Sequence, residues 1–316
     1  MLVVLLLLAF TACVVCFGPT LTASATWSSA APRLGLLVCQ AIPAAIAGGI
    51  VLMAGMTVVS VQHLRPDFEH VLHACAVAVW DNAKHPGVPG TTALGLVAIG
   101  LLTHLVRTAA ASATGVRRVR REQREALALV GEVDERYIRV HSEDVFAFCV
   151  PGRGGGIVIS TAAERQLDDG QLAAVLAHER AHLRGRHHLL VQVTHVLARA
   201  IPLAPLRLLH QQSKTLVEME ADDRACRATS REALIGALLR FSSRVTGPEL
   251  AANGSDVNRR ALRLVEPARP QSSLVHLSVG AGALTLLLTP WAIGVLPVLL
   301  AITGHCEGAA PPTPTA

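Results

Sequence analysis

Long apolar runs alternate with one long polar stretch along this chain. Residues 2–18, 34–61 and 278–303 carry no charge, and residues 92–112 carry only Arg107, with His104 nearby. A helix needs about 20 apolar residues to cross a bilayer, so the four runs predict four transmembrane helices. Arg107 lies near the end of its run, where its side chain can snorkel to the interface. Pro290 and Pro297 interrupt the fourth run and predict a kink.

Between the third and fourth runs the periodicity changes. Residues 116–130 are basic and read as helix. Residues 137–140, 145–150 and 157–160 read as short strands, with Phe146 and Phe148 alternating in the second. Pro151-Gly152-Arg153-Gly154-Gly155-Gly156 reads as the turn of a hairpin between the last two strands. It lacks the Gly-Lys-Ser/Thr of a phosphate-binding loop. From Thr161 to about Arg244 the pattern is helical. The expected fold is a mainly α membrane protein: residues 1–112 hold three spans, residues 113–272 form an α+β domain with a small antiparallel sheet, and residues 273–316 hold the fourth span and a short tail.

Two segments admit a second reading. Ala23-Ser24-Ala25 has the form of a signal-peptidase site, so residues 1–25 compete as a cleaved signal, against which stands the lack of a basic n-region. Residues 189–209 are apolar enough to suggest a fifth span, but Gln192, His195, Arg199 and Arg207 interrupt them and Pro202 and Pro205 break them. We read this segment as a buried or interfacial helical connection.

Composition agrees with a membrane protein. Only 16% of residues are charged and mean hydropathy is +0.45, against about 25% charged in soluble domains. Arg117, Arg118, Arg120, Arg121 and Arg124 follow the third run, and Arg259, Arg260, Arg263 and Arg269 precede the fourth. The loop 62–90 has only Arg65 and Lys84. The positive-inside rule then places residues 113–272 in the cytoplasm, with both termini and the 62–90 loop outside. The net charge of +5 largely reflects these clusters, read as a topology signal facing anionic lipid. Aromatics are only 3%, which argues against nucleic-acid binding. Cys13 and Cys16 have metal-pair spacing but lie in a span, where packing explains them; Cys75 and Cys306 fall on the outer side and could pair.

The chemistry concentrates in two helical motifs. Residues 172–186 contain His178-Glu179-Arg180-Ala181-His182, with Asp168 or Asp169 to cap the helix start and Gly185 to end it. Side chains four apart share a helix face, so His178 and His182 can grip one ion. Neutral imidazole suits zinc, and Glu179 beside the metal suits a general base. A catalytic zinc needs a third protein ligand and an open position. Residues 218–225 offer Glu218 and Asp222, again four apart: Glu218 as the ligand, Asp222 to hydrogen-bond a ligand His and fix its orientation. Glu220 faces elsewhere on that helix.

HERAH followed by EMEAD resembles the gluzincin-type membrane peptidases, which include the HtpX-type protease and the CAAX prenyl endopeptidase. Span count, a peptidase domain between spans three and four, and the run Phe-Cys-Val-Pro-Gly-Arg-Gly-Gly-Gly-Ile-Val-Ile-Ser resemble the BlaR/MecR-type peptidases. The resemblance implies a zincin-like domain with His178, His182 and Glu218 as Zn2+ ligands, Glu179 as catalytic base and Asp222 as supporting acid. It implies a substrate peptide added beside the strand 157–160, and regulated cleavage of a protein such as a transcriptional repressor. Membrane-protein quality control and a non-catalytic zinc-containing transducer are the alternatives. Two departures stand out. His187 takes a position that is often acidic in the family; it or His188 either assists the site or faces the headgroups, and the second reading is preferred. The β-lactam sensors of that type also carry a penicillin-binding domain after the last span, whereas this sequence has a Pro/Thr tail, so β-lactam sensing does not follow.

Overall fold

The computed structural model describes residues 2–64, 88–152, 155–242, 259–266 and 271–306. The loop 65–87, Cys75 and the side chain of Cys306 lie outside the described residues, and with them the suggested cysteine pair. Each of the four apolar runs is helical: α1 (Leu2–Ser24), then, after the short α2 (Thr26–Ala30), α3 (Pro32–Leu64), α4 (Val88–Val130) and, last in the chain, α10 (Ser273–Cys306). All four are long and apolar enough to cross a membrane. The third run and the basic stretch after it, read above as separate pieces, form the single helix α4. No proline interrupts residues 92–130, and the alanines at 109–111 favour continuation.

The spans pack around α3, which meets α1, α4 and α10. Small residues allow the close approach that drives helix association in lipid. A methyl group at Gly49 would collide with Thr11 of α1, and one at Gly95 would collide with Thr57 of α3. The two threonine hydroxyls donate to the carbonyls of Leu7 (2.7 Å) and Met53 (3.0 Å) in their own helices, so neither is orphaned in the apolar interior.

Beyond α4 lie β1 (Gly131–Val133), β2 (Ile138–Val140), β3 (Ala147–Cys149) and β4 (Ile157–Ser160). Their order is β1-β2-β4-β3. The hairpin β3–β4 is present, but β2 pairs with β4 in parallel, so the sheet is mixed and not antiparallel as expected. The physical reason is burial. All four residues of β4 are buried, as suits a central strand, and β4, last in the chain, inserts between its hairpin partner β3 and the earlier strand β2. Gly152 in the hairpin turn has φ +107°, a conformation that favours glycine. Arg124 of α4 donates to the carbonyl of Pro151 in the same turn at 2.7 Å.

Five helices follow: α5 (Thr161–Gln166), α6 (Asp169–Arg184), α7 (His187–Ala200), α8 (Ala204–Ala228) and α9 (Arg231–Ser242). Residues 259–265 are also helical. The segment 189–209 is a helical hairpin that breaks at 201–203 and does not rank among the candidate spans. Leu197, Leu206, Leu209, Leu216 and Val217 of α7 and α8 share one apolar core with Leu7, Ile42, Ile46 and Ile50 of α1 and α3. Polar hooks reinforce that junction. Gln212 donates to the carbonyl of Thr22 at 2.7 Å, Gln40 to the carbonyl of Leu190 at 3.2 Å, and Gln192 to Ser112 Oγ at 2.6 Å. A second core, with Ile157, Ile159, Leu172, Val175 and Leu176, joins the sheet to α6.

Candidate metal centre

Helix α6 begins on a capping box. Asp168 Oδ1 accepts from the Gln171 amide at 2.8 Å, and the Gln171 side chain accepts from the Asp168 amide. Gly185 closes the helix. With its apolar face on the second core, α6 turns His178 and His182 toward α8, which carries Glu218 and Asp222 from the opposite side. The two motifs, some forty residues apart by their numbering, thus meet side by side.

Among the described residues, His178, His182 and Glu218 are the group placed to share an ion. His178 Nε2 and His182 Nε2 are 3.0 Å apart, and the Glu218 oxygens lie 3.5 Å from the first and 3.6 Å from the second. Such separations form one face of a coordination tetrahedron about an ion roughly 2.0–2.1 Å from each donor. The donor chemistry fits too. Two imidazole nitrogens facing each other and a carboxylate present converging lone pairs, an arrangement that a cation or a shared proton relieves. Two nitrogens and one oxygen are a donor set that suits zinc.

Each imidazole has a partner behind it. His178 Nδ1 lies 3.0 Å from Asp222 Oδ1. Asp222 is fully buried and also accepts from Arg260 Nε at 2.8 Å and Nη2 at 2.6 Å. Arg260 Nη1 reaches Glu218 Oε2 at 3.0 Å, so one guanidinium braces both acids. His182 Nδ1 lies 3.0 Å from His187 Nδ1. His187 Nε2 in turn lies 2.9 Å from Glu220 Oε2. Glu220 also accepts from Arg224 in its own helix and from Arg33 Nε at 3.0 Å. His178 Nδ1 and Glu220 Oε2 lack a well-aligned hydrogen bond although their ionic partners stand this close.

The electrostatics follow from this packing. Burial disfavours the charged form of His178, but the carboxylates of Asp222 and Glu218 outweigh it and raise its pKa to about 9. Burial would likewise raise Glu218, yet the two histidines and Arg260 hold it well below the carboxylate range. The two shifts thus reflect the mutual pairing of the imidazole, carboxylate and guanidinium groups. Glu179 projects beside this cluster and touches Cys149 of β3; burial and that carboxylate push the Cys149 thiol up to about 12.

Two cavities flank the cluster and share Glu218 and Arg260. One, of about 690 Å³, opens between α4, α7 and α8 and is lined by Arg120, His182, His188 and Lys214. The other, of about 350 Å³, is apolar, with Phe146, Leu234 and Phe241 around Glu179. Both touch the edge strand or its flanks: Cys149 and Pro151 border the first, Phe146 and Ala147 the second. The strand at the cleft is thus β3, not β4, whose two sides are already paired.

Every residue singled out from the two motifs is at this site, but three neighbours were missed or misread. His187 does not face headgroups: it is 3% exposed and touches His182. His188 lines the larger cavity. Arg260, counted above among topology charges, is buried between Asp222 and Glu218; Arg263 pairs with Asp223 at 2.9 Å. Glu220 does face away from the ion site, as expected, and is buried against His187. The pattern that could have flagged Glu220 was a carboxylate among the small and apolar residues Met219 and Ala221.

No curated protein and no solved structure was found to match the chain. Residues 110–264, which contain the sheet, both motifs and Arg260, match the family model described as peptidase family M48, and this match supports a metallopeptidase of that family carried on a multi-pass membrane protein.

Proposed function

We propose that this chain is a zinc-dependent endopeptidase working at the cytoplasmic face of the membrane, and that it performs regulated cleavage of a specific protein such as a transcriptional repressor. The observation that carries the enzyme reading is the convergence of three ligand atoms 3.0–3.6 Å apart beside Glu179 and two cavities. His178, His182 and Glu218 would hold the metal. Zinc in that position supplies Lewis acidity, polarising a carbonyl and acidifying water.

The chain's own groups supply the rest. A substrate strand adds along β3 and lays its scissile bond across Glu218, with one side chain in the apolar cavity under Phe146 and Phe241. The Glu179 carboxylate takes a proton from the attacking water and delivers it to the leaving amine as the C–N bond breaks. Arg260 keeps Glu218 ionised and in place. Asp222 holds His178 with its Nε2 toward the metal. The arginines at 117–124, at the end of α4 that meets the peptidase helices, support a cytoplasmic site.

The test is Glu179→Gln in the full-length chain. It is expected to retain zinc while hydrolysis falls by roughly 10²–10⁴-fold. Unchanged products with zinc still bound would overturn the enzyme reading in favour of a transducer. In cells, one or two products lost on Glu179→Ala support regulated cleavage; many lost products assign the protein to membrane quality control.

A further inference from the structure

The sequence comparison assigns nothing to His187, Glu220 or Arg33, yet these three form a continuous polar chain from the metal centre to a membrane helix. His187 is 3% exposed and Glu220 2% exposed. A buried carboxylate and a buried imidazole are costly unless each is paired. Here they pair with each other at 2.9 Å, and the free ends of the pair point in two directions. One end is His187 Nδ1, 3.0 Å from His182 Nδ1. The other is Glu220 Oε1, which accepts from Arg224 of its own helix and, at 3.0 Å, from Arg33 Nε at the start of α3.

Proton counting fixes the direction of these contacts. A His182 that gives its Nε2 lone pair to a metal keeps its one remaining proton on Nδ1. That proton donates to His187 Nδ1, which must then be the unprotonated nitrogen of its ring. The His187 proton then sits on Nε2, the atom that faces Glu220 Oε2 at 2.9 Å in a close but poorly aligned ionic contact. A carboxylate, an imidazole and a ligand imidazole in series do for His182 what a carboxylate alone does for His178.

The backbone supports the placement. His187 follows α6 at once, because Arg186 takes a left-handed conformation with φ +48° that turns the chain back. The turn brings the first residue of α7 under the last turn of α6. Gly185 leaves the necessary room, since a methyl group there would collide with the His187 ring.

The geometry points to His187 as a positioning residue for the ligand His182, oriented by Glu220 and linked through Arg33 to the transmembrane helix α3. This rests on His182 being a metal ligand. The orientation of one ligand then depends on where α3 starts, which is a physical route for a membrane event to alter the site. Arg33 is largely exposed, so it is the adjustable member, while Glu220 and His187 are fixed by burial.

The experiment uses the full-length chain in lipid nanodiscs, loaded with zinc or with cobalt as a spectroscopic probe. His187→Ala is expected to weaken zinc binding roughly 10–100-fold and to shift the cobalt absorption bands. Glu220→Gln keeps the shape and still accepts from His187; it is expected to give a smaller loss in the same direction, and it decides the matter if His187→Ala does not fold. Arg33→Gln is expected to give the smallest loss, a few-fold, with the same spectral shift in miniature. Wild-type affinity and bands in His187→Ala and Glu220→Gln, with zinc bound normally by the parent, overturn the relay alone. An unchanged Arg33→Gln beside an altered His187→Ala overturns the link to α3. A parent chain that takes up no zinc overturns the metallopeptidase reading and the relay together.

Discussion

The two histidines of one motif stand one helical turn apart, yet they are braced from opposite directions. His178 leans on Asp222 and Arg260, wholly inside the polar domain. His182 leans on His187 and Glu220, and through Arg33 on a membrane helix. The first brace is short and doubly charged: a buried carboxylate with a bidentate guanidinium. The second is longer and ends at an exposed arginine. A bidentate pair held in a core has little freedom, whereas a chain of single contacts passes on the position of its far end. The difference teaches that a symmetric-looking motif can hold one rigid ligand and one adjustable ligand.

That contrast can be broken most forcefully at Asp222. Asp222→Ala removes the carboxylate beside His178 and takes the buried bidentate partner from Arg260, which keeps its contact with Glu218. Breaking a buried pair in this way costs about 3–5 kcal/mol, and zinc affinity should fall by roughly 10–100-fold. Denaturant unfolding with and without zinc measures the first effect, and chelator competition the second. A loss of stability no larger than that of His187→Ala would erase the proposed asymmetry.

A smaller effect is expected from Arg260→Lys. The charge survives, but an ammonium cannot reproduce the fork that meets both Asp222 oxygens and Glu218. Zinc affinity should drop several-fold, about 1 kcal/mol in binding, with a smaller shift of the cobalt bands than His187→Ala gives, because Glu218 and Asp222 keep a cation beside them. A spectral shift as large as that of His187→Ala would show the braces to be coupled.

The smallest effect tests a region remote from both. Glu164 accepts from Arg139 at two positions, 2.7 Å each, and from Tyr137. The hydrogen bonds from Arg139 lead in holding its pKa at about 2, against an ordinary 4.5. Its folded pKa is depressed, so its stabilisation is complete above pH 4.5 and disappears as pH falls toward 2. Glu164→Gln should flatten that part of the acid-unfolding curve and leave zinc affinity at neutral pH unchanged. A change in metal binding would mean that the sheet takes part in positioning the ligands.

What could be read from the sequence was the local part of the site. His178 and His182, like Glu218 and Asp222, are pairs four apart, and helix geometry alone puts such pairs on one face. The spans were legible for a related reason, since lipid demands a continuous apolar run. Arg260 was hidden because its role depends on a return of the chain from well beyond both motifs, and a buried arginine looks like a topology charge until its partners are known. His187 was hidden by a single residue: Arg186 in a left-handed conformation reverses the chain where the sequence suggests only the end of a helix. The parallel pairing of β2 with β4 was hidden because strand alternation specifies faces and not neighbours.

The continuity of α4 has a mechanical meaning. Its 43 residues give a rod about 65 Å long at a rise of 1.5 Å per residue. One part of the rod lies in the apolar spans, and Arg120 near its other end borders the larger cavity. From Thr92 to Val130 no proline and no unwound turn interrupts it, so that length resists a tilt or a twist. The membrane stretch and the mouth of the cavity thus lie on one unbroken helix, a mechanical path from one to the other.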